Sequence, residues 1–184
     1  MDRSLIPPPV HEEPSEADLA AVRAQLGRPT RGTRAIAHRC PCGLPDVVET
    51  VPRLADGTPF PTLYYLTCPR AVAACSRLES AGVMKEMAAR LASEEGLRKA
   101  YAQAHEAYLA RRASIGHVEE IAGISAGGMP QRVKCLHVLL GHSLAAGPGV
   151  NPLGDEVVEM LEPWWTEGSC LPRPPTPHPA GPGV

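Results

Sequence analysis

The strongest constraint on this chain is a change of hydrophobic period at Cys68-Pro69. Before it, β-branched and aromatic residues gather in three short runs, Arg34 to Cys40, Val47 to Val51 and Leu63 to Thr67, separated by proline and glycine. Asp56-Gly57 falls between the second and third runs, where glycine supplies the positive φ of a tight reversal. After it, apolar residues recur every three or four positions: Val72 and Cys75, then Val83, Met87 and Leu91, then Leu97, Tyr101, Ala104 and Tyr108. Pro69 suits a first helical position, where its missing N–H costs nothing. A small sheet cannot bury its apolar face alone, so the pattern predicts an α+β fold: about three antiparallel strands covered by several helices.

The flanks follow the same logic. Ser15-Glu-Ala-Asp18 is a capping pattern for a short helix with Leu19, Val22 and Leu26 on one face, ending at Gly27. A further helix is expected from Pro130 to about Ala145. Asn151-Pro152 caps a last one, whose Val157, Met160 and Leu161 lead to Trp164 and Trp165. The proline-rich ends have little to bury, so residues 1–14 and 167–184 are expected to be disordered around a single domain at 15–166.

A chain of 184 residues can bury one sizeable core, and with only 4% aromatic residues that core must rest on Leu, Val, Ile, Met and Ala. The formal net charge is -2 with both signs interspersed, which argues against a polyanion-binding surface and so against nucleic acid. The longest apolar run, around Val133 to Ala146, is broken well short of the ~20 residues of a bilayer span. Met1 to Pro9 has no apolar stretch of signal-peptide length, and a cytoplasmic location is expected. In that compartment the six cysteines read as thiols or metal ligands rather than disulfides.

The densest chemistry lies in Arg132-Val-Lys-Cys-Leu-His-Val-Leu-Leu-Gly-His142, preceded by the glycine-rich Gly123-Ile-Ser-Ala-Gly-Gly-Met-Pro130. A helix start leaves amides unpaired and carries partial positive charge. Ser125, Gly127, Gly128, Arg132 and Lys134 are therefore candidates to cradle a small anionic ligand, a phosphate or carboxylate. The bland reading is a turn that only lets a helix begin. Cys40 and Cys68 each end a strand run, and Cys68 sits at a helix start, where a thiolate is stabilised. If Cys135 packs across those strand ends, Cys40, Cys68 and Cys135 with His142 would suit zinc or an iron–sulfur cluster. Cys68, Cys135 and His137 are the candidates for thiolate catalysis with a proton carrier. The bland alternative is buried packing thiols and a hydrogen-bonded core histidine. His105 reads as helix surface, and Glu119-Glu120 as a solvated face.

Arg39-Cys-Pro-Cys-Gly-Leu-Pro45, Asp56-Gly-Thr-Pro-Phe-Pro-Thr62, Leu66-Thr-Cys-Pro69, Gly123 to Pro130 and Arg132 to His137, in this order, resemble the blocks of a bacterial domain-of-unknown-function family, the one numbered five-zero-one. The resemblance runs from about Asp18 to Trp165. Its blocks coincide with Cys40, Cys68, Cys135 and His137. Cys75 and Cys170 lie outside them, and no ligand role is implied for Cys42. The resemblance implies no established activity. It does imply genes that neighbour those for septum formation and exopolyphosphatase-like proteins. Two functions therefore compete: a Cys/His site, metal-binding or thiolate-based, beside an anion-binding helix start, or a non-catalytic adaptor linked to cell division whose cysteines only pack the core.

Overall fold

A computed structural model describes residues 3–166 and 168–171. Three strands, β1 (Thr33–Arg39), β2 (Pro45–Thr50) and β3 (Tyr64–Leu66), form an antiparallel sheet in the order β1-β2-β3. Among the described residues six α-helices surround it: α1 (Glu16–Leu26), α2 (Pro69–Ser80), α3 (Val83–Ser93), α4 (Glu95–Ile115), α5 (Leu136–Ala146) and α6 (Pro152–Met160). Among the described residues no helix is long and apolar enough to cross a membrane.

Side chains alternate across β2 and decide what covers each face. Val48 joins Ile36 and Val22 in a small cluster under α1, with Tyr65 packed at its edge. Val47, with Ala37, Tyr64 and Leu66, enters the main core beneath α5. The register Val47 to Leu66 and Glu49 to Tyr64 keeps that alternation in phase between strands. The α5 sequence is apolar nearly all round, and eight of its eleven residues are buried between the sheet, α2 and α6. Gly154 permits the tight α5–α6 crossing, because a Cβ there would overlap the Leu139 carbonyl oxygen.

The capping signals act as their chemistry requires. Ser15 accepts from the Asp18 amide while Asp18 reaches back to the Ser15 amide, Gly27 closes α1 at φ 65°, and Asn151 accepts from the Gly154 amide at 3.0 Å. Residues 3–14, read from their prolines as loose, run beside β1 instead. The Val10 amide donates to Ala37, and Glu12 and Ile36 exchange both backbone hydrogen bonds, so the segment covers the free edge of the sheet. At the other end, the fold continues past 166 to a buried Cys170, inside the stretch expected to be a disordered tail. Residues 172–184 lie outside the described residues.

Helix α5 starts at Leu136, six residues later than the sequence predicts. The glycine loop closes on itself first: the Arg132 amide donates to Gly128 and the Lys134 amide to Gly127, with both glycines at positive φ. These bonds hold residues 127–134 in a compact loop, and the helix can begin only beyond it.

Candidate functional site

Antiparallel pairing brings three cysteines to one end of the sheet. The turn from β1 to β2 carries Cys40-Pro41-Cys42-Gly43, with the Gly43 amide on the Cys40 carbonyl at 2.8 Å, the Cys40 amide on Leu44 at 2.9 Å, and Gly43 at φ 85°. Because β3 runs against β2, its final residues lie beside the start of β2, which delivers Cys68 to the same end. Cys170 arrives from the segment after α6, anchored by the buried Trp164.

The Sγ atoms of Cys40 and Cys170 stand 3.4 Å apart, far beyond the ~2.05 Å of a disulfide. Those of Cys40, Cys42 and Cys170 all lie within 4.8 Å of one another. The Cys68 thiol sits beside this trio and interacts with Cys170 and Cys40, but it is not among the three sulfurs that all lie within 4.8 Å of one another. Interaction with Cys170 and Cys40 holds Cys68 well below the usual thiol range, and interaction with Cys170 and Cys68 pushes Cys40 up. Backbone amides face the group in a repeating pattern: Cys42 N–H toward Cys40, Leu44 N–H toward Cys42, and Ala71 and Arg70 N–H toward Cys68. Three of the four thiols are fully buried and Cys42 is half-buried. Nearby, Asp46 is buried against His38, whose Nδ1 lies 2.7 Å from the carboxyl and whose Nε2 donates to the Pro7 carbonyl; burial raises the Asp46 pKa.

Cys135 does not join this group. It caps α5 and forms a second cluster with His137 and Glu79, the latter from the last turn of α2. His137 Nδ1 lies 3.7 Å from Cys135 Sγ and 3.1 Å from Glu79 Oε1, while Nε2 donates to the Val72 carbonyl at 3.2 Å. Contact with Cys135, and then with Glu79, raises the His137 pKa to about 9. Burial works against the Cys135 thiolate, but His137 and the Val138 amide outweigh it and lower its pKa. Cys75, deeper in α2, is buried and its thiol is pushed up to about 12.

His142 is also elsewhere. It stacks with Tyr64 and accepts at Nδ1 from the Asn151 side-chain amide at 3.1 Å; that amide is oriented because its oxygen accepts from Gly154. Burial lowers its pKa to about 4, which describes a neutral core histidine rather than a ligand of the thiol group. His105 is buried rather than on the surface, and donates to Ser125 at 2.8 Å.

The expected anion cradle is already occupied by the protein. The amides of Arg132 and Lys134 are spent on Gly128 and Gly127, Ser125 donates to the Met129 carbonyl at 3.3 Å, and the Leu136 amide at the start of α5 donates to Glu79 Oε1 at 2.7 Å. Glu79 is the anion at that helix start. The side chains of Arg132 and Lys134 point from exposed positions.

Sequence reasoning missed Cys42, Cys170 and Glu79. Cys42 was legible as the partner of Cys40 in a Cys-x-Cys turn. Glu79 had no local signal, since its partners lie more than fifty positions away in α5.

No curated protein and no solved structure matches the chain. A family model described as "Protein of unknown function (DUF501)" matches residues 36–159. The matched region includes Cys40, Cys42, Cys68, Glu79, Cys135 and His137 and stops before Cys170. The chain belongs to this DUF501 family of proteins of unknown function.

Proposed function

We propose that this is a zinc-binding protein in which Cys40, Cys42, Cys68 and Cys170 hold one ion as thiolates. The observation that carries this reading is the convergence of three sulfurs within 4.8 Å, with that of Cys68 beside them, from three separate chain segments. Zinc–sulfur bonds of about 2.3 Å in a tetrahedron place the sulfurs about 3.8 Å apart. The separations among Cys40, Cys42 and Cys170, 3.4 Å for one pair and under 4.8 Å within the trio, bracket that edge, and Cys68 stands beside them as the fourth ligand to be drawn in. An iron–sulfur cluster fits less well, because its cysteines bind different irons and must stand farther apart than the corners of one tetrahedron. The amides facing Cys40, Cys42 and Cys68 support the same reading, since thiolates on a metal accept such bonds.

Four protein ligands leave no open position, so the ion is structural. It ties the carboxyl-terminal segment to the sheet and the start of α2, and its binding energy counts toward folding. Cobalt substitution tests the reading. Full-length protein loaded with Co²⁺ should show intense sulfur-to-cobalt charge-transfer bands and tetrahedral ligand-field bands. Both should be sharply reduced in C42S, whose half-buried side chain makes it the least disruptive thiol to replace. Four thiols that react freely with a disulfide reagent in zinc-loaded native protein would overturn the proposal.

A further inference from the structure

We propose that Glu79, Cys135 and His137 form a second metal site, open at one position, for a divalent ion of the zinc type. The site is independent of the four-thiol group: its ligands come from the end of α2 and the start of α5, and it stands or falls without the first.

The three side chains offer one sulfur, one imidazole nitrogen and one carboxylate oxygen, all within 4.8 Å of one another. Around a tetrahedral zinc, bonds of about 2.3 Å to sulfur and about 2.0 to 2.1 Å to nitrogen and oxygen put sulfur and nitrogen about 3.6 Å apart, and nitrogen and oxygen about 3.3 Å apart. The corresponding separations here are 3.7 and 3.1 Å. Each ligand is held from behind. His137 Nε2 donates to the Val72 carbonyl, which leaves the Nδ1 lone pair aimed at the other two donors, the arrangement that fixes metal-bound imidazoles. Glu79 is oriented by the Leu136 amide, and the Val138 amide faces the Cys135 sulfur. The buried Cys75, on the inner side of α2, packs the helix that carries Glu79 into the core.

Charge favours the same assignment. A thiolate and a carboxylate within this distance repel, and a divalent cation between them offsets both at once. Softness narrows the ion: one thiolate and one imidazole select zinc-like metals over magnesium or calcium, which prefer all-oxygen shells. His137 and Glu79 side chains are 24% and 23% exposed, so a fourth position faces solvent and takes water or an exogenous ligand. Three protein ligands with an open fourth position is the pattern of zinc that does chemistry, in contrast to the closed four-thiol group.

The test uses full-length protein and zinc alone. Native mass spectrometry after zinc loading should count two ions in the wild type and one in C42S. H137A and C135S should each also retain one, the closed site being intact. E79Q keeps an acceptor for the Leu136 amide and so preserves the helix start, yet should weaken the second ion at least tenfold in competition with a chelator. Zinc should also slow iodoacetamide alkylation of Cys135 at least tenfold. A zinc count unaffected by H137A, C135S and E79Q, with Cys135 alkylated equally fast with and without zinc, overturns the proposal and leaves a thiol–imidazole pair. Loss of the C42S effect alone would overturn the four-thiol reading and leave this one standing.

Discussion

Replacing Glu49 with glutamine should cost about 3 kcal/mol, because one buried carboxylate joins four parts of the fold. Glu49 in β2 is fully buried; Arg34 of β1 lies 2.5 Å away, Arg111 of α4 binds both oxygens at 2.7 and 3.2 Å, and His11 of the edge segment lies at 3.4 Å. His11 Nε2 also donates to the Ala145 carbonyl at the end of α5. Breaking a buried ion pair by removing one partner costs about 3–5 kcal/mol. The side chains of Arg34 and Arg111 are 44% and 38% exposed and can rehydrate, which favours the low end of that range. For 184 residues, about 3 kcal/mol lowers Tm by about 6–12 °C. The pH dependence has a definite sign. Burial alone raises a carboxyl pKa, but the His11, Arg111 and Arg34 bonds win and hold Glu49 down to about 2, against 4.5 for a free side chain. Its contribution is complete above pH 4.5 and is lost as pH falls toward 2. Urea unfolding of wild type and E49Q should therefore differ by the full amount at pH 7 and by clearly less at about pH 3. A difference under about 0.5 kcal/mol at pH 7, the size of an ordinary surface change, would refute the reasoning.

Other outcomes follow from particular contacts. Gly154→Ala gains about 1 kcal/mol of helix propensity, but its Cβ overlaps the Leu139 carbonyl, which is backbone and cannot swing away, so thermal unfolding should show a net loss of about 2 kcal/mol. His142 has a folded pKa lowered to about 4, so the unfolded chain binds the extra proton first and this residue's contribution to stability declines as pH drops from about 6.5 toward 4; its ring NMR signals should not move between about pH 8 and pH 5. Cys75, with its thiol pushed up to about 12 by burial, should stay unmodified by iodoacetamide at about pH 8 in native protein, and peptide mass spectrometry would expose early labelling as a failure of this account.

Much of the fold was legible because its signals are local. The β-branched run of β2, the Ser15 capping box, Pro69 at the start of α2 and Asn151 at the start of α6 act within a few residues, and the structure has each of them. The start of α5 was misjudged because bonds from Arg132 and Lys134 back to the two glycines compete with helix over residues 127–134, and their strength depends on a loop geometry that period does not encode. The amino-terminal prolines hid an edge-strand contact, since it is made by Val10 and Glu12 with Ala37 and Ile36, more than twenty positions away. For the candidate site, the strand ends pointed to Cys40 and Cys68 lying close together, and antiparallel topology puts both at one end of the sheet. Cys135 was drawn to the wrong group because it is an attractive thiol at a helix start, and its actual partner Glu79 reaches it only through the packing of α2 on α5. Cys170 was passed over because it follows the last helix in a stretch rich in proline and glycine, where composition argues for disorder and a single cysteine leaves no pattern.

Zinc-edge X-ray absorption on full-length H137A tests the central claim most directly, because that variant keeps only the four-thiol group. The account predicts one zinc per chain with a single shell of four sulfurs at about 2.3 Å. A zinc bound through nitrogen or oxygen, or no zinc retained at all, would contradict it.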